Sequence, residues 1–340
     1  MRTLNRQKQL VSDLWLDQRA AHRRIDLRRA RGRISETDAD RLHTYTADGI
    51  TRTVLDDIGP LSRRVDADIE RLWGARPSDL AVQAKRGPRT ALRDFDDDDR
   101  AVGWRINDPH SHSAAVRSLY LHPEIHRTVG LVLGQRPIAI QSVYFEFGSE
   151  QAMHRDPMFV RTTPPSHFVA VWVALDDITE HNGPILAVPG SHRAPWYEFE
   201  RDTIVLEKTD PDTHASRRSG WQQHRIEMLD RLGLSVEPQL CAAGEVLVWH
   251  GGLIHGGAQV PRPARTRRSL LIHFSTADRY VERRANMQAR LTPDGPLERV
   301  ERMTTTRIEA DGCIGMDNPL RGFGRSRSRQ PADGEASTSS

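Results

Sequence analysis

His154 and Asp156 stand two residues apart, so on an extended backbone an imidazole and a carboxylate project to the same side, because strand side chains alternate with period two. That spacing suits two ligands of one metal ion. A third must come from elsewhere, and the stretch 248–257 (VWHGGLIHGG) offers it just past an apolar, strand-like run, with His255 foremost and His250 its rival. Two imidazoles and a carboxylate on one face of a metal leave open positions, the arrangement of non-haem Fe(II) centres that activate oxygen. The same three side chains would also suit Zn²⁺ in a hydrolase or a structural site.

The elements that must position these residues can be read from patterning. Residues 138–147 (IAIQSVYFEF) are rich in β-branched and aromatic types and predict a strand, with 148–151 turning the chain into the His154 segment. Residues 167–175 (HFVAVWVAL) are apolar on both faces, as a fully covered core strand should be. Shorter strands are expected at 185–188, 244–249 and 267–275, separated by turns at 180–183 and 189–192. Many short strands with Gly and Pro turns argue for a β-sandwich or barrel. Ahead of them lies a helical part. Residues 4–31 have helical composition, with Leu10, Val11, Leu14 and Leu16 as the apolar positions. Ser35 followed by Asp38 is a capping arrangement that opens a helix to about residue 46, and residues 48–50 break it. A one-sided stripe of Ile58, Leu61, Val65, Ile69 and Leu72 predicts a helix over 55–73, and 118–133 another, closed by Gly134. Residues 74–113 read as polar and irregular, the acidic run 94–100 (DFDDDDR) as a solvated loop, and His110 and His112 as surface histidines.

Composition excludes some classes. No run of 18 apolar residues appears, and the first residues lack the apolar stretch of a secretory signal, so no membrane partner and a cytoplasmic location are expected. Two isolated cysteines, Cys241 and Cys313, make neither a disulfide framework nor a thiolate zinc site. Nearly every base is Arg, with Lys only at Lys8, Lys85 and Lys208. The densest basic run, 19–33, has no aromatic platform beside it and reads as a solvated helix face rather than a nucleic-acid footprint.

The HRD at 154–156, Asn182-Gly183 and the PGSH of 189–192, then Gly244 and His255-Gly256, follow one another in an order and spacing that resembles the phytanoyl-CoA dioxygenase family of Fe(II)/2-oxoglutarate oxygenases, over roughly residues 35–280. The resemblance implies a double-stranded β-helix, a jelly-roll and cupin-like core, in a mainly β fold with flanking helices. It divides the chain into an Arg-rich N-terminal helix (1–34) and one oxygenase domain (35–320). That domain comprises a helical part (35–135), a jelly-roll core (136–193 and 240–280) and a lid insertion (194–239). A disordered tail (321–340) follows.

Carried over by position, His154, Asp156 and His255 would hold Fe(II), with 2-oxoglutarate as co-substrate and O₂ as oxidant; the Gly256-Gly257 that follows favours His255 over His250. The outer carboxylate of 2-oxoglutarate needs a buried cation, and Arg offers a bidentate fork that Lys does not. The resemblance puts it on the strand after His255, at Arg267, with Arg268 still open. Alternation places Arg267 with Ser269, Leu271 and His273, and Ser269 would then add a second hydrogen bond. Gln141, a lone amide on a face with Val143 and Phe145, matches a 2-oxoglutarate contact in ectoine-hydroxylase-like relatives, and Trp172 stands where relatives carry an aromatic near the iron. The implied reaction decarboxylates 2-oxoglutarate to succinate and CO₂ and hydroxylates a substrate C–H. A carboxylate at Asp156 speaks against halogenation, where related enzymes carry a small residue. The expected substrate is a small metabolite or natural-product intermediate, a fatty acyl-CoA being the alternative, and its determinants are expected in 155–161, 194–239 and the N-terminal helices.

Overall fold

Whether a strand faces helices or a second sheet decides its side chains, and both kinds of face occur on one sheet of this protein. The structure is a computed structural model that describes residues 12–84, 89–95, 97–100, 104–160, 164–200, 203–206, 211–260, 265–276, 279, 301–303, 306–317 and 320–323. A 3₁₀ turn (Trp15–Asp17) precedes helices α1 (Ala21–Ala30) and α2 (Glu36–Asp48), strand β1 (Ile50–Val54) and α3 (Ile58–Ala75). Strands β2 (Ala81–Ala84), β3 (Arg89–Ala91) and β4 (Trp104–Asn107) lead to α4 (Ala114–Tyr120) and α5 (Pro123–Leu133). Then come β5 (Pro137–Phe145), β6 (Val169–Ala174), β7 (Ile185–Val188), α6 (Pro211–Leu232), β8 (Glu237–Gln239), β9 (Glu245–His250), β10 (Ile254–Gly257) and β11 (Ser269–Thr276). Four short strands follow: β12 (Glu301–Met303), β13 (Thr306–Ala310), β14 (Cys313–Asp317) and β15 (Leu320–Phe323).

The large sheet runs β1-β9-β6-β11-β5-β4-β2-β3, with β14 lying parallel to β5 and β13 beside it. A small sheet, β10-β7-β8, faces it. Val169, Val171, Val173, Val246, Val248, Leu270, Ile272 and Phe274 on the outer face form one cluster with Leu61, Val65, Ile69 and Leu72 of α3 and Val129 and Val132 of α5. Ala170, Trp172, Leu247 and Trp249 on the inner face meet Ile185 and Ala187 of the small sheet. This is the jelly-roll core, and β6 is apolar throughout because both its faces are covered.

Local signals work as the sequence suggests in several places. Ser35 Oγ accepts from Asp38 N at 3.0 Å while the Asp38 carboxylate accepts from Ser35 N at 3.4 Å, a reciprocal cap. Gly49 and Gly134 end α2 and α5 in the left-handed conformation that favours glycine.

The structure departs from the sequence reading elsewhere. Residues 35–135, read as helical, also supply β1 to β4, and all four join the large sheet. The irregular-looking stretch 74–113 therefore contains three of its strands. The N-terminal segment is a turn and a short helix rather than one helix over 4–31, with residues 1–11 outside the described set. It is no separate unit, since Leu14, Trp15, Leu16 and Ile25 belong to the main core. The insertion 194–239 ends in β8, which pairs with β7 and so belongs to the small sheet. Of the tail 321–340, residues 321–323 lie in β15, which pairs with β12, and the rest lies outside the described residues.

Candidate active site

The His154 segment completes the small sheet by a single bridge to β10: His154 N donates to His255 O at 2.8 Å and His255 N to His154 O at 3.0 Å. Residues paired in this way present their side chains to the same side, and the two rings lie 4.4 Å apart between centroids. In both, Nδ1 faces a backbone carbonyl, Ala152 at 2.8 Å and Leu253 at 3.1 Å, which fixes the proton on Nδ1 and turns Nε2 inward as a lone pair. Asp156 opens a 3₁₀ turn (Asp156–Met158), where Pro157 costs no helical hydrogen bond. Its Oδ1 lies 3.8 Å from His154 Nε2 and 3.6 Å from His255 Nε2, and Oδ2 accepts from the Trp249 indole at 3.0 Å.

One ligand atom from each of these three buried residues falls within 4.8 Å of the others, and among the described residues no other group of this kind occurs. Burial, with the neighbouring His255, drives the His154 imidazole down to about 3, so it stands neutral and ready to donate its lone pair. Burial alone would push the Asp156 carboxyl up, but His255, His273, His154 and the Trp249 N–H together hold it below the ordinary range, so it is a carboxylate. His154 Nε2 meets the Gln151 amide at 3.2 Å, a contact that a metal would replace.

Arg267 enters the same interior from the edge of β11. It is 1% exposed, its Nη1 donates to Gly183 O at 3.1 Å, and its guanidinium lies over Trp172 (5.2 Å) and Phe145 (5.9 Å). Burial lowers its pKa to about 10, which leaves it charged at neutral pH. No carboxylate among the described residues meets it; Nε has no partner, and neither does the fully buried Ser269 Oγ. Two orphaned donors side by side are costly unless something accepts from them. Arg268 points to the other face, where Asp176 and Asp66 bind it and raise its pKa.

The remaining residues sort themselves by geometry. Gln141 faces His273, with Oε1 3.3 Å from Nδ1. A bulge in β5, where Gln141 pairs with His273 but Ala139 with Phe274, keeps Gln141 on the inner face. His273 is buried beside Asp156 with Nε2 unpartnered; alternation with Arg267 and Ser269 carries its place, although sequence reasoning gave it no role. His250 turns away: its Nε2 lies 3.2 Å from Asp17, and its Nδ1 accepts from Gly252 N. Although burial opposes it, His250 holds the Asp17 carboxyl at about 2.

Two expectations fail. His110 is fully buried, stacked on Tyr120, with Ser142 Oγ and Met316 O on its two nitrogens. Arg155 is equally buried and binds the carbonyls of Ser191, Ala194 and Pro195, so it braces that turn instead of facing the site. In the acidic run, Arg100 pairs with Glu70 and Glu146, while residue 96 lies outside the described set.

Fold and site together define a jelly-roll protein with a buried His-Asp-His cluster and the buried Arg267 on the same inner face, and solved structures share that fold. The non-heme alpha ketoglutarate dependent carbocyclase SnoK from nogalamycin biosynthesis matches 85% of this chain and 97% of its own, with a TM-score of 0.53 and 15% identity. EctD from S. alaskensis with 2-oxoglutarate and 5-hydroxyectoine matches 72% and 77%, with a TM-score of 0.51 and 19% identity. Residues 38–268 match the phytanoyl-CoA dioxygenase (PhyH) family model, so the chain belongs to that family and the resemblance read from its motifs holds. Phytanoyl-CoA dioxygenase 1 of Oryza sativa subsp. japonica is 30% identical over 167 residues, 48% of this chain and 53% of that protein. A probable alpha-ketoglutarate-dependent hypophosphite dioxygenase of Stutzerimonas stutzeri is 28% identical over 182 residues, 52% and 58% of the two chains. The chain thus spans about half the length of these curated relatives.

Proposed function

We propose that this protein is an Fe(II)/2-oxoglutarate-dependent oxygenase that hydroxylates an unactivated C–H of a small metabolite or natural-product intermediate. His154, Asp156 and His255 would hold the iron, and Arg267 with Ser269 would receive the outer carboxylate of 2-oxoglutarate. The observation that carries this reading is the pairing of the buried His154-Asp156-His255 cluster with Arg267, a buried cation that meets no carboxylate among the described residues. A zinc hydrolase would use the first and leave Arg267 and Ser269 without a purpose.

When bound, iron and 2-oxoglutarate supply an oxidant from O₂, with release of succinate and CO₂. The chain's own residues set the conditions for that chemistry. The Ala152 and Leu253 carbonyls lock the two imidazoles in the tautomer that donates from Nε2, and the Trp249 N–H occupies Asp156 Oδ2, leaving Oδ1 for the metal. Trp172 and Phe145 flank the Arg267 guanidinium and strip it of water, which strengthens its grip on a carboxylate. Gln141, held by His273, lies on the same inner face. The insertion 194–239 is read as a fixed cover, because Trp221 Nε1 and Gln222 Nε2 of α6 both donate to Met153 O, next to His154. No described helix is long and apolar enough to cross a membrane, and a small molecule is the partner the site fits.

The test is succinate formation from 2-oxoglutarate in the presence of Fe(II), compared between the native chain and Asp156→Ala. Formation that disappears in the variant supports the assignment; equal turnover in the two proteins would remove Asp156 from the site.

A further inference from the structure

The inner face of the large sheet continues past β5 onto β4, β2 and β3, and that flank carries a cation. Arg105 of β4 stands opposite Phe145 on one side and Gln83 on the other, so it shares the face of Phe145 and Ser269. Its Nε and Nη2 both donate to Gln83 Oε1, at 3.0 and 2.6 Å, and no carboxylate among the described residues acts on it. Arg89 of β3, opposite Gln83, adds positive charge instead. The charge of Arg105 bears on the imidazoles of His154 and His273, so it faces the same interior as they do.

A second observation comes from the same strand. Asn107, opposite Val143 on the inner face, is 4% exposed, and neither its amide nitrogen nor its oxygen has a partner. His273 Nε2, across β5 and β11 from it, is unpartnered as well. A buried amide with both ends unsatisfied, next to a cation without a carboxylate, is expensive in an empty interior and expected where a ligand supplies the missing groups.

We propose that Arg105 and Asn107 form a receptor for an oxyanion carried by the oxidisable substrate, with Arg105 neutralising the charge and the Asn107 amide donating beside it. The substrate is thereby an acid, a carboxylate or phosphate, whose anionic end is held on β4 while its reacting C–H lies toward His154, Asp156 and His255. This assignment rests on the oxygenase reading, in which Arg267 and Ser269 already take the outer carboxylate of 2-oxoglutarate.

The experiment uses inorganic phosphate as the probe and has two arms. First, the anaerobic protein is loaded with Fe(II) and 2-oxoglutarate, and the visible charge-transfer band is titrated in the native chain and in Arg105→Gln. Half-saturation that agrees within about twofold keeps Arg105 out of the co-substrate site; a tenfold or greater rise would assign it to 2-oxoglutarate and overturn the proposal. A native chain without the band counts against the oxygenase reading, whereas the second arm stands without it. There, the ³¹P line width of phosphate is followed with both loaded and metal-free protein. Broadening by the native chain should weaken roughly tenfold in Arg105→Gln and partly in Asn107→Leu, and persist in Arg71→Gln, a surface control. No broadening by the native chain, or equal broadening by Arg105→Gln, would overturn the proposal. Near-ultraviolet circular dichroism of each variant confirms its packing.

Discussion

The two faces of β11 carry adjacent arginines with opposite fates. On the outer face Arg268 is bound by Asp176 and Asp66, and the strand's other outward residues, Leu270, Ile272 and Phe274, pack against the helices. On the inner face Arg267 has no carboxylate among the described residues, Ser269 Oγ has no partner, and His273 Nε2 has none. The outer face carries its own counter-charges for Arg268 and its own apolar partners, and it serves stability. The inner face leaves buried polar atoms without partners, as the proposed binding of a metal and an acid there requires. Charge content alone does not separate the two arginines; what separates them is whether the protein supplies the counter-charge.

That contrast can be broken or sharpened by substitution. The largest effect is expected at Asp156→Ala, which should abolish 2-oxoglutarate turnover while leaving thermal stability in the apo protein close to native, as measured by succinate release and calorimetry. Phe274→Ala on the outer face should do the reverse. It deletes a fully buried ring that packs edge-on against His126, and should cost about 3–5 kcal/mol in denaturant titrations with turnover per folded molecule retained. Arg267→Ala should raise the 2-oxoglutarate concentration for half-maximal rate by roughly a hundredfold, the scale of losing one partner of a buried charge pair. Arg268→Ala should leave that concentration unchanged and lower stability by no more than about 1 kcal/mol, since its ion pairs are partly exposed. If Arg268→Ala raised the requirement and Arg267→Ala did not, the two faces would have been assigned the wrong way round.

Much of the inner face was legible because period-two alternation is a local rule. Once a strand begins at Ser269, Arg267, Ser269, Leu271 and His273 must share a side, and the spacing of His154 and Asp156 needs only an extended segment. The reciprocal cap at Ser35 and the glycine stops at Gly49 and Gly134 are equally local. What was missed depends on distant pairing. Strands β2 to β4 are short, and β2 and β3 flank a segment with Gly and Pro, so nothing local distinguishes them from loop; they exist because β4 finds β5. Burial of His110 needs Met316, some 200 residues away, and β14 lies parallel to β5 through pairs such as Ile314 with Ile138. Substrate determinants are expected in 155–161, yet alternation sends Arg155 the other way, onto the 191–195 turn. The same alternation that groups Arg267 with Ser269 places Arg155 correctly.

On the proposed function, the cluster at 154, 156 and 255 and Arg267 form one site for iron and 2-oxoglutarate. Anaerobic titration of the metal-free protein with Fe(II), then 2-oxoglutarate, tests it most directly through the visible metal-to-ligand charge-transfer band. The native chain should give a band that is absent in Asp156→Ala and needs far more 2-oxoglutarate in Arg267→Ala. Iron binding without the band, or a band indifferent to both substitutions, would contradict it.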